Sequence, residues 1–326
     1  MFALFLALLS MFPGWSEEDE LVLLWYNLEN LFHPSDAPGS ADDDFTPGGA
    51  AHWTMFRYRE KLTQIARLVV AAGRGNPPDL LGFCEIEEES VLSDLSKHPL
   101  LRPYGYQVLH RQGPDHRGME VACLYRPGAS RLMALEWHAP PKQSGRVQTR
   151  EVLQLSLLTR GLHRVDVFLL HLVSRYGGSG STARFRKLQA TQLLNCTDSV
   201  SMLNPGGLVV LLGDFNDVEN SYSLFPLQEA LNTREHFREP RLPGGRASYK
   251  YRGEWMQIDR ALVLGCSDSY LASLSIPLEE QLLEEDPAFG GRRPRRTYEG
   301  LRYCGGTSDH LPLLLRLHFQ EHGSGF

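Results

Sequence analysis

Short apolar runs that end in polar residues recur along this chain, and the clearest spans residues 208–217. Five apolar residues, Leu208 to Leu212, lead into Gly213 and then Asp214-Phe215-Asn216-Asp217. An aliphatic, β-branched run bounded by turn residues predicts a buried strand reaching its end. Side chains two apart point the same way in extended chain, so Asp214 and Asn216 are expected to present a carboxylate and an amide toward one site. Gly213 is expected to let the backbone turn without a Cβ clash. A plain Asp/Asn-rich turn would have the same composition, and what separates the two readings is repetition. The apolar stretch 20–25 ends in Tyr26-Asn27-Leu28-Glu29-Asn30, with Asn27 and Glu29 on one side. Residues 79–89 embed Glu85 in an apolar run, and 165–171 end in His171. Asp259 opens the strand-like run that follows Gln257-Ile258, and Ser308-Asp309-His310 precedes a last apolar run at 313–319.

Between these strands lie segments of helical period. In 59–72 the apolar positions Leu62, Ile65, Ala66, Leu68 and Val69 place one face on a sheet. Residues 181–194 are a second helix, with Arg184, Arg186 and Lys187 near its start. Residues 33–51 are rich in Pro, Gly and Asp and read as a long loop, a placement that also suits a site mouth. A further strand at 119–125 carries Glu120 among apolar residues; such a carboxylate needs a partner, and orienting a histidine is one use for it. Arg117, on the preceding loop, and Arg175, shortly after His171, are candidates for contact with a phosphate. Residues 220–248 read as loop and short helix. The run 249–255 is aromatic and basic, suited to stacking, to phosphate contact or to edge-strand packing. Residues 291–296 hold the concentrated basic run, either a solvated loop or an anion-facing rim. Strands alternating with helices predict α/β layering, with the site at the sheet ends.

Composition narrows this picture. At 326 residues with no repeat or Gly/Ser linker, the chain reads as a single domain over 17–326. A formal net charge of −6 argues against a protein that coats nucleic acid generically, while leaving room for a local phosphate site. The five cysteines have no CxxC spacing, so neither zinc nor a disulfide framework is indicated, and Cys84 and Cys123 are expected as buried free thiols. Residues 1–16 form an apolar run with Gly14 and Ser16 at cleavage-like positions but no Lys or Arg before Arg57, an atypical signal peptide. It predicts a secreted or periplasmic protein; no run is long enough to span a membrane.

The polar groups at the strand ends, Asn27, Glu85, His171, Asp214, Asn216, Asp259, Asp309 and His310, combine carboxylates and amides without thiolates. That donor set suits a hard cation such as Mg²⁺ or Mn²⁺, and the two histidines supply acid–base or phosphate-binding capacity near neutral pH.

In order along the chain, these motifs resemble the endonuclease/exonuclease/phosphatase superfamily, the DNase I-like fold. The matching residues are Asn27 after a strand, Glu85 in Cys-Glu-Ile-Glu, His171-Leu172, Gly213-Asp214-Phe215-Asn216, Ile258-Asp259 and Ser308-Asp309-His310. Further stretches at 26–32, 248–255 and 284–298 look like an uncharacterised, mainly bacterial branch. The resemblance implies an α+β fold, a four-layer αββα sandwich of two mixed sheets flanked by helices. It also implies roles: Asn27, Glu85 and Asp309 at the metal, with Glu29 where some members place a further acid. By the same pattern Asp214 and Asn216 activate water, Asp259 orients His310, and His171 contacts the scissile phosphate. Cys84 departs from the pattern, which often has Gln there. The expected activity is metal-dependent phosphodiester hydrolysis, most simply of nucleic acid, by a monomer with no stable protein partner. A phosphatase or a sphingomyelinase-type enzyme is the rival within the superfamily, and an inactive phosphate-binding module the rival outside it.

Overall fold

The computed structural model describes residues 15–35, 43–115, 119–142, 149–175, 179–265 and 269–320. The N-terminal half contains strands β1 (Trp15–Leu31), β2 (Leu80–Ile86), β3 (Gln107–Leu109), β4 (Glu120–Tyr125), β5 (Ser130–His138), β6 (Val152–Thr159) and β7 (Arg164–His171), with helices α1 (Met55–Ala72) and α2 (Glu89–Ser96). Helix α3 (Ser179–Leu203) leads to β8 (Leu208–Asp214), α4 (Phe225–Thr233) and β9 (Phe237–Arg238). Then come β10 (Tyr249–Tyr251), β11 (Glu254–Met256), β12 (Asp259–Leu264), β13 (Tyr270–Ser275) and α5 (Glu279–Leu282). Two short strand pairs and one long strand close the chain: β14 (Leu283–Glu285) with β15 (Arg292–Pro294), β16 (Tyr298–Glu299) with β17 (Arg302–Tyr303), and the long β18 (Leu313–Gln320).

Two six-stranded sheets form, one ordered β13-β18-β1-β2-β4-β3 and the other β5-β6-β7-β8-β12-β9. Each has one parallel pair at its centre, β1 with β2 and β7 with β8, flanked by antiparallel neighbours. Alternate residues of the central strands face opposite ways and both ways are apolar. Leu21, Leu23 and Trp25 of β1 pack toward Leu155, Val167, Val210 and Leu212 of the second sheet, forming the core between the sheets. Val22, Leu24 and Tyr26 turn outward onto Leu62, Ile65 and Val69 of α1. On the other side Phe168, Leu170, Val209 and Leu211 meet Ala190 and Leu193 of α3 and Leu227 of α4. The result is an α+β sandwich, and burial on both faces is why β1, β7 and β8 read as continuous apolar runs. The sheets approach so closely at Gly82 that a Cβ there would lie 2.8 Å from Leu169 and 3.1 Å from Trp25.

This topology explains where polar groups collect. Parallel neighbours end at the same edge, so Asn27, Glu85, His171 and Asp214 emerge together at the C-terminal ends of β1, β2, β7 and β8. Antiparallel strands begin where those end, so Asp259 opens β12 opposite Asp214, and residues 307–310 precede β18.

Several expectations are revised. Helix α1 starts earlier than 59, at Met55, because Thr54 caps it by accepting the Arg57 N–H. Helix α3 runs past 194 to Leu203. Strands β5, β6 and β13 have no counterpart in the sequence reading; β5 and β13 lie at sheet edges, where half-exposed residues blur the pattern. The loop 33–51 is partly packed: Phe45 stacks on Phe32 at 4.7 Å and meets Tyr298 at 5.7 Å. Cys84, Cys123, Cys196 and Cys304 are free thiols, the first two buried. Cys266, Arg117 and residues 1–14 of the leader expectation lie outside the described residues. Among the described residues no helix is long and apolar enough to cross a membrane.

Candidate active site

At the shared strand ends the backbone leaves regular extension. Glu29, Asn30, Glu85 and Asn216 adopt left-handed conformations, with φ of 47°, 52°, 61° and 51°, positions that non-glycine residues occupy at some cost and that gather at functional sites. The β1–β2 ladder skips from the Asn27–Cys84 pair to the Leu31–Ile86 pair, a bulge on both strands. This bulge turns Glu85 onto Asn27. The Asn27 amide donates to Glu85 Oε1 at 3.4 Å and to Asp214 Oδ2 at 3.2 Å. Asn30 N–H donates to Glu85 Oε2 at 2.9 Å, and Glu29 N–H to Asn27 Oδ1 at 3.0 Å.

Strand β8 ends at Asp214, one residue later than a turn at Gly213 would require. Gly213 is needed for close approach instead: a Cβ there would lie 2.1 Å from the Leu170 carbonyl oxygen of β7. Asn216 reaches the site by a tight turn rather than by strand alternation. Asp214 Oδ1 accepts the Asn216 N–H at 2.8 Å, and the Asn216 side-chain amide donates to Leu172 O at 3.0 Å.

Asp259 is fully buried. Its Oδ1 accepts Trp25 Nε1–H at 2.9 Å and its Oδ2 meets His310 Nδ1 at 2.7 Å. Burial alone would lower the His310 pKa; the Asp259 charge and hydrogen bond, with Asp214 and Asp309 beyond, outweigh it and hold the imidazolium well above its ordinary range. Burial, then the Asp259 charge, pushes the Asp214 carboxyl up to about 7, although His310 and the N–H donors of Asn216 and Asn27 oppose it. His171 Nε2 lies 3.6 Å from Asp214 Oδ2 and 4.0 Å from Glu85 Oε1. His310 Nε2 lies 4.0 Å from both Asp214 Oδ2 and Asp309 Oδ1. Asn27, Glu85, His171, Asp214, Asn216, Asp259, Asp309 and His310 therefore surround one space.

Other expected residues are placed differently. Glu29 does not offer a free carboxylate: its oxygens accept the N–H groups of Thr297 at 2.6 Å and Tyr298 at 3.2 Å. Burial, then Asp309, raises its carboxyl to about 7. Glu120 neighbours Gly113, Asp115 and Arg150 rather than a histidine at the site. Arg175 lies at the rim, 3.8 Å from Asp217 and 3.7 Å from the Met256 sulfur. In the basic run Arg292 pairs with Glu280, Arg293 with Glu284 and Glu299, and Arg296 with Asp309, while Arg295 is exposed.

One participant, Lys61, escapes motif reading, whereas Tyr249 and Arg186 stand in segments noted there without the contacts they make. Lys61 of α1, 1% exposed, donates to the carbonyls of Leu28 and Glu29. The signal that could have found it is a lone ammonium within the apolar stripe of α1. Tyr249 packs on the His310 ring at 4.7 Å. Buried Arg186 joins the loops that follow β7 and β8 by bonding Val173 O and Asp217 Oδ2, each at 3.0 Å.

Oxygen donors without thiolates fit a hard divalent cation. Asp214, Asp259 and His310 have ligand atoms within 4.8 Å of one another, but Asp259 and His310 are committed to each other. Half-buried Glu85 and adjacent Asn27 are the donors better placed to hold an ion. Carboxylates outnumber the cations Lys61, Arg296 and His310 among them, which also favours a bound cation.

A family model described as the Endonuclease/Exonuclease/phosphatase family matches residues 22–319. Among solved structures, an endonuclease/exonuclease/phosphatase family protein of Bacteroides thetaiotaomicron superposes with TM-score 0.58 at 16% identity, covering 92% of this chain and 98% of that one. Truncated TDP2 of Caenorhabditis elegans gives 0.57 at 15% identity over 92% and 97%. A mannosyl-6-phosphatase of B. thetaiotaomicron gives 0.59 at 16% over 92% and 100%. No curated protein matches the chain.

Proposed function

Since the chain belongs to the endonuclease/exonuclease/phosphatase family, a fold that hydrolyses phosphoesters, we propose that it is a phosphodiesterase using Mg²⁺ or Mn²⁺ and in-line attack by water. The observation that carries this reading is the convergence of His171, Asp214, Asn216 and the Asp259–His310 pair beside the oxygen donors of Asn27 and Glu85.

Asn27 and Glu85, with Asp309 nearby, would hold the cation, which supplies charge neutralisation for the phosphoryl oxygens. The remaining chemistry belongs to the side chains. Asp214, with a carboxyl near 7, is matched to accepting a proton from water at neutral pH. Asn216, whose Nδ2 is fixed on Leu172 O, turns its Oδ1 to orient that water. His171 Nε2 donates to a non-bridging oxygen, and the His310 imidazolium, oriented by Asp259, stabilises the charge that develops as the leaving oxygen departs.

A diester is favoured over a monoester by charge. Lys61 and Arg296 are already engaged by carbonyls and by Asp309, and the His310 imidazolium by Asp259, so a singly charged phosphate suits the site better than a dianion. Nucleic acid is favoured by exposed Tyr251 and Trp255 on the β10–β11 hairpin, whose Tyr249 touches His310; such rings stack on bases. The likeness to a structure named mannosyl-6-phosphatase supports phosphomonoester hydrolysis as the second reading. A secreted or periplasmic monomer, cleaved near residue 16, completes the proposal; N-terminal sequencing and sizing of the exported protein check it.

The test is hydrolysis of bis-p-nitrophenyl phosphate beside p-nitrophenyl phosphate, with Mg²⁺ or EDTA and with Asp214→Ala. Diester turnover lost in EDTA and in the variant is expected. Monoester preference would favour the second reading, and no turnover of either with tight phosphate binding would indicate an inactive module.

A further inference from the structure

The buried stripe of α1 runs through Tyr58, Lys61, Leu62, Ile65, Leu68, Val69 and Ala72. Every neighbour in the stripe is uncharged, and the position suits an aliphatic residue. An ammonium buried there is strongly unfavourable unless it is well partnered. Its partners are specific: Nζ donates to Leu28 O at 2.6 Å and to Glu29 O at 3.0 Å, the carbonyls of the bulge where the β1–β2 ladder is interrupted.

That bulge sends its groups to the cation donors. Glu29 N–H holds Asn27 Oδ1, Asn30 N–H holds Glu85 Oε2, and the Glu29 carboxylate holds the N–H groups of Thr297 and Tyr298, next to Arg296 and its partner Asp309. Both bulge residues Glu29 and Asn30 have positive φ and need a fixed anchor to stay there. We propose that Lys61 is a positioning residue which, by gripping the Leu28 and Glu29 carbonyls from behind the sheet, holds Asn27 and Glu85 in the arrangement that binds the divalent cation; this rests on the metal-dependent reading above. Burial lowers the Lys61 pKa to about 8 while the charges of Glu29, Glu85 and Asp309 oppose the fall. Removing the ammonium frees the bulge to relax into regular ladder, which swings Glu85 away from Asn27.

The experiment measures Mn²⁺ affinity of the full chain by electron paramagnetic resonance for wild type, Lys61→Met and Glu85→Gln, with far-ultraviolet circular dichroism and melting in EDTA as fold controls. Lys61→Met, close in volume, is expected to weaken Mn²⁺ binding about 10- to 100-fold, the range found when an outer-shell partner is lost. It should lower kcat on bis-p-nitrophenyl phosphate more than it raises KM. Folded Lys61→Met with wild-type Mn²⁺ affinity would overturn the positioning role while leaving the metal reading intact, provided Glu85→Gln weakens binding. Unchanged binding in Glu85→Gln would place the ion elsewhere and overturn the metal site on which the proposal rests. If Lys61→Met does not fold, the unmutated protein still decides: Mg²⁺ titration must shift the ¹H–¹⁵N resonance of the Lys61 ammonium, and an unmoved resonance at saturation would overturn the proposal.

Discussion

At the Asp259–His310 pair, carboxylate and imidazole meet at 2.7 Å with the carboxylate wholly out of water. Asp259→Asn keeps the volume but replaces the charge that orients His310 and keeps it protonated. Its kcat is expected to fall about 100-fold to 10,000-fold with little change in KM, measured on the chromogenic diester. Glu120 yields a prediction of different kind. Burial, then Asp115, raises its carboxyl from 4.5 to about 7 in the folded protein. Above pH 4.5 the unfolded chain releases a proton that the folded chain retains, so this group costs stability progressively up to pH 7 and by a constant amount beyond. The loss is about 3 kcal/mol at most. Urea midpoints of Glu120→Gln relative to wild type should therefore rise between pH 5 and pH 8. At this scale the motifs identified chemical types, the acids, amides and histidines at strand ends. They could not show that the Glu29 carboxylate is occupied by backbone N–H groups or that Lys61 sits beneath it, because both contacts join residues far apart in the chain.

Among the elements, the end of β8 shows how one glycine is constrained by its neighbour strand. The position of a Cβ at Gly213, 2.1 Å from Leu170 O, cannot be relieved by a side-chain rotation. Gly213→Ala is expected to lower stability by about 3 kcal/mol or more, read from denaturant midpoints, and to move Asp214 with its strand. Helix α3 acts on the site through two residues. Arg186, 1% exposed, ties Val173 to Asp217, and Gln189 accepts the Val173 N–H at 3.1 Å. Arg186→Met leaves Asp217 buried with Ser223 and the Val218 N–H as its remaining close donors; a stability loss of about 3 to 5 kcal/mol is expected, accompanied by a lower kcat as the loops that follow β7 and β8 loosen. Periodicity located α1 and α3 but not their full lengths, since caps and last turns carry little amphipathic signal.

For the whole molecule, the metal-dependent reading proposed above predicts that a divalent cation stabilises the fold where Glu85, Asp214 and Asp309 lie close together. At a concentration of 100 times Kd, linkage gives about 2.7 kcal/mol. Mg²⁺ or Mn²⁺ should therefore raise the melting temperature, EDTA should reverse the rise, and Glu85→Gln should abolish it; an equal rise in that variant would place the ion elsewhere. The same scale separates what was legible in the chain from what was not. Apolar runs long enough for burial on both faces, alternating with helices, already specify a layered sheet protein, because hydrophobic patterning is a local property that each segment carries with it. The polar tip of each strand is equally local. Which tips meet is decided by the tertiary structure: the parallel β1–β2 and β7–β8 pairs bring four strand ends to one edge, and the antiparallel partners bring the starts of β12 and β18 there. The bulge at Glu29 and Asn30, the grip of Lys61 and the pairing of Arg296 with Asp309 follow from that packing. Their cause is charge and hydrogen-bond satisfaction inside the fold, a condition no single stretch of sequence contains.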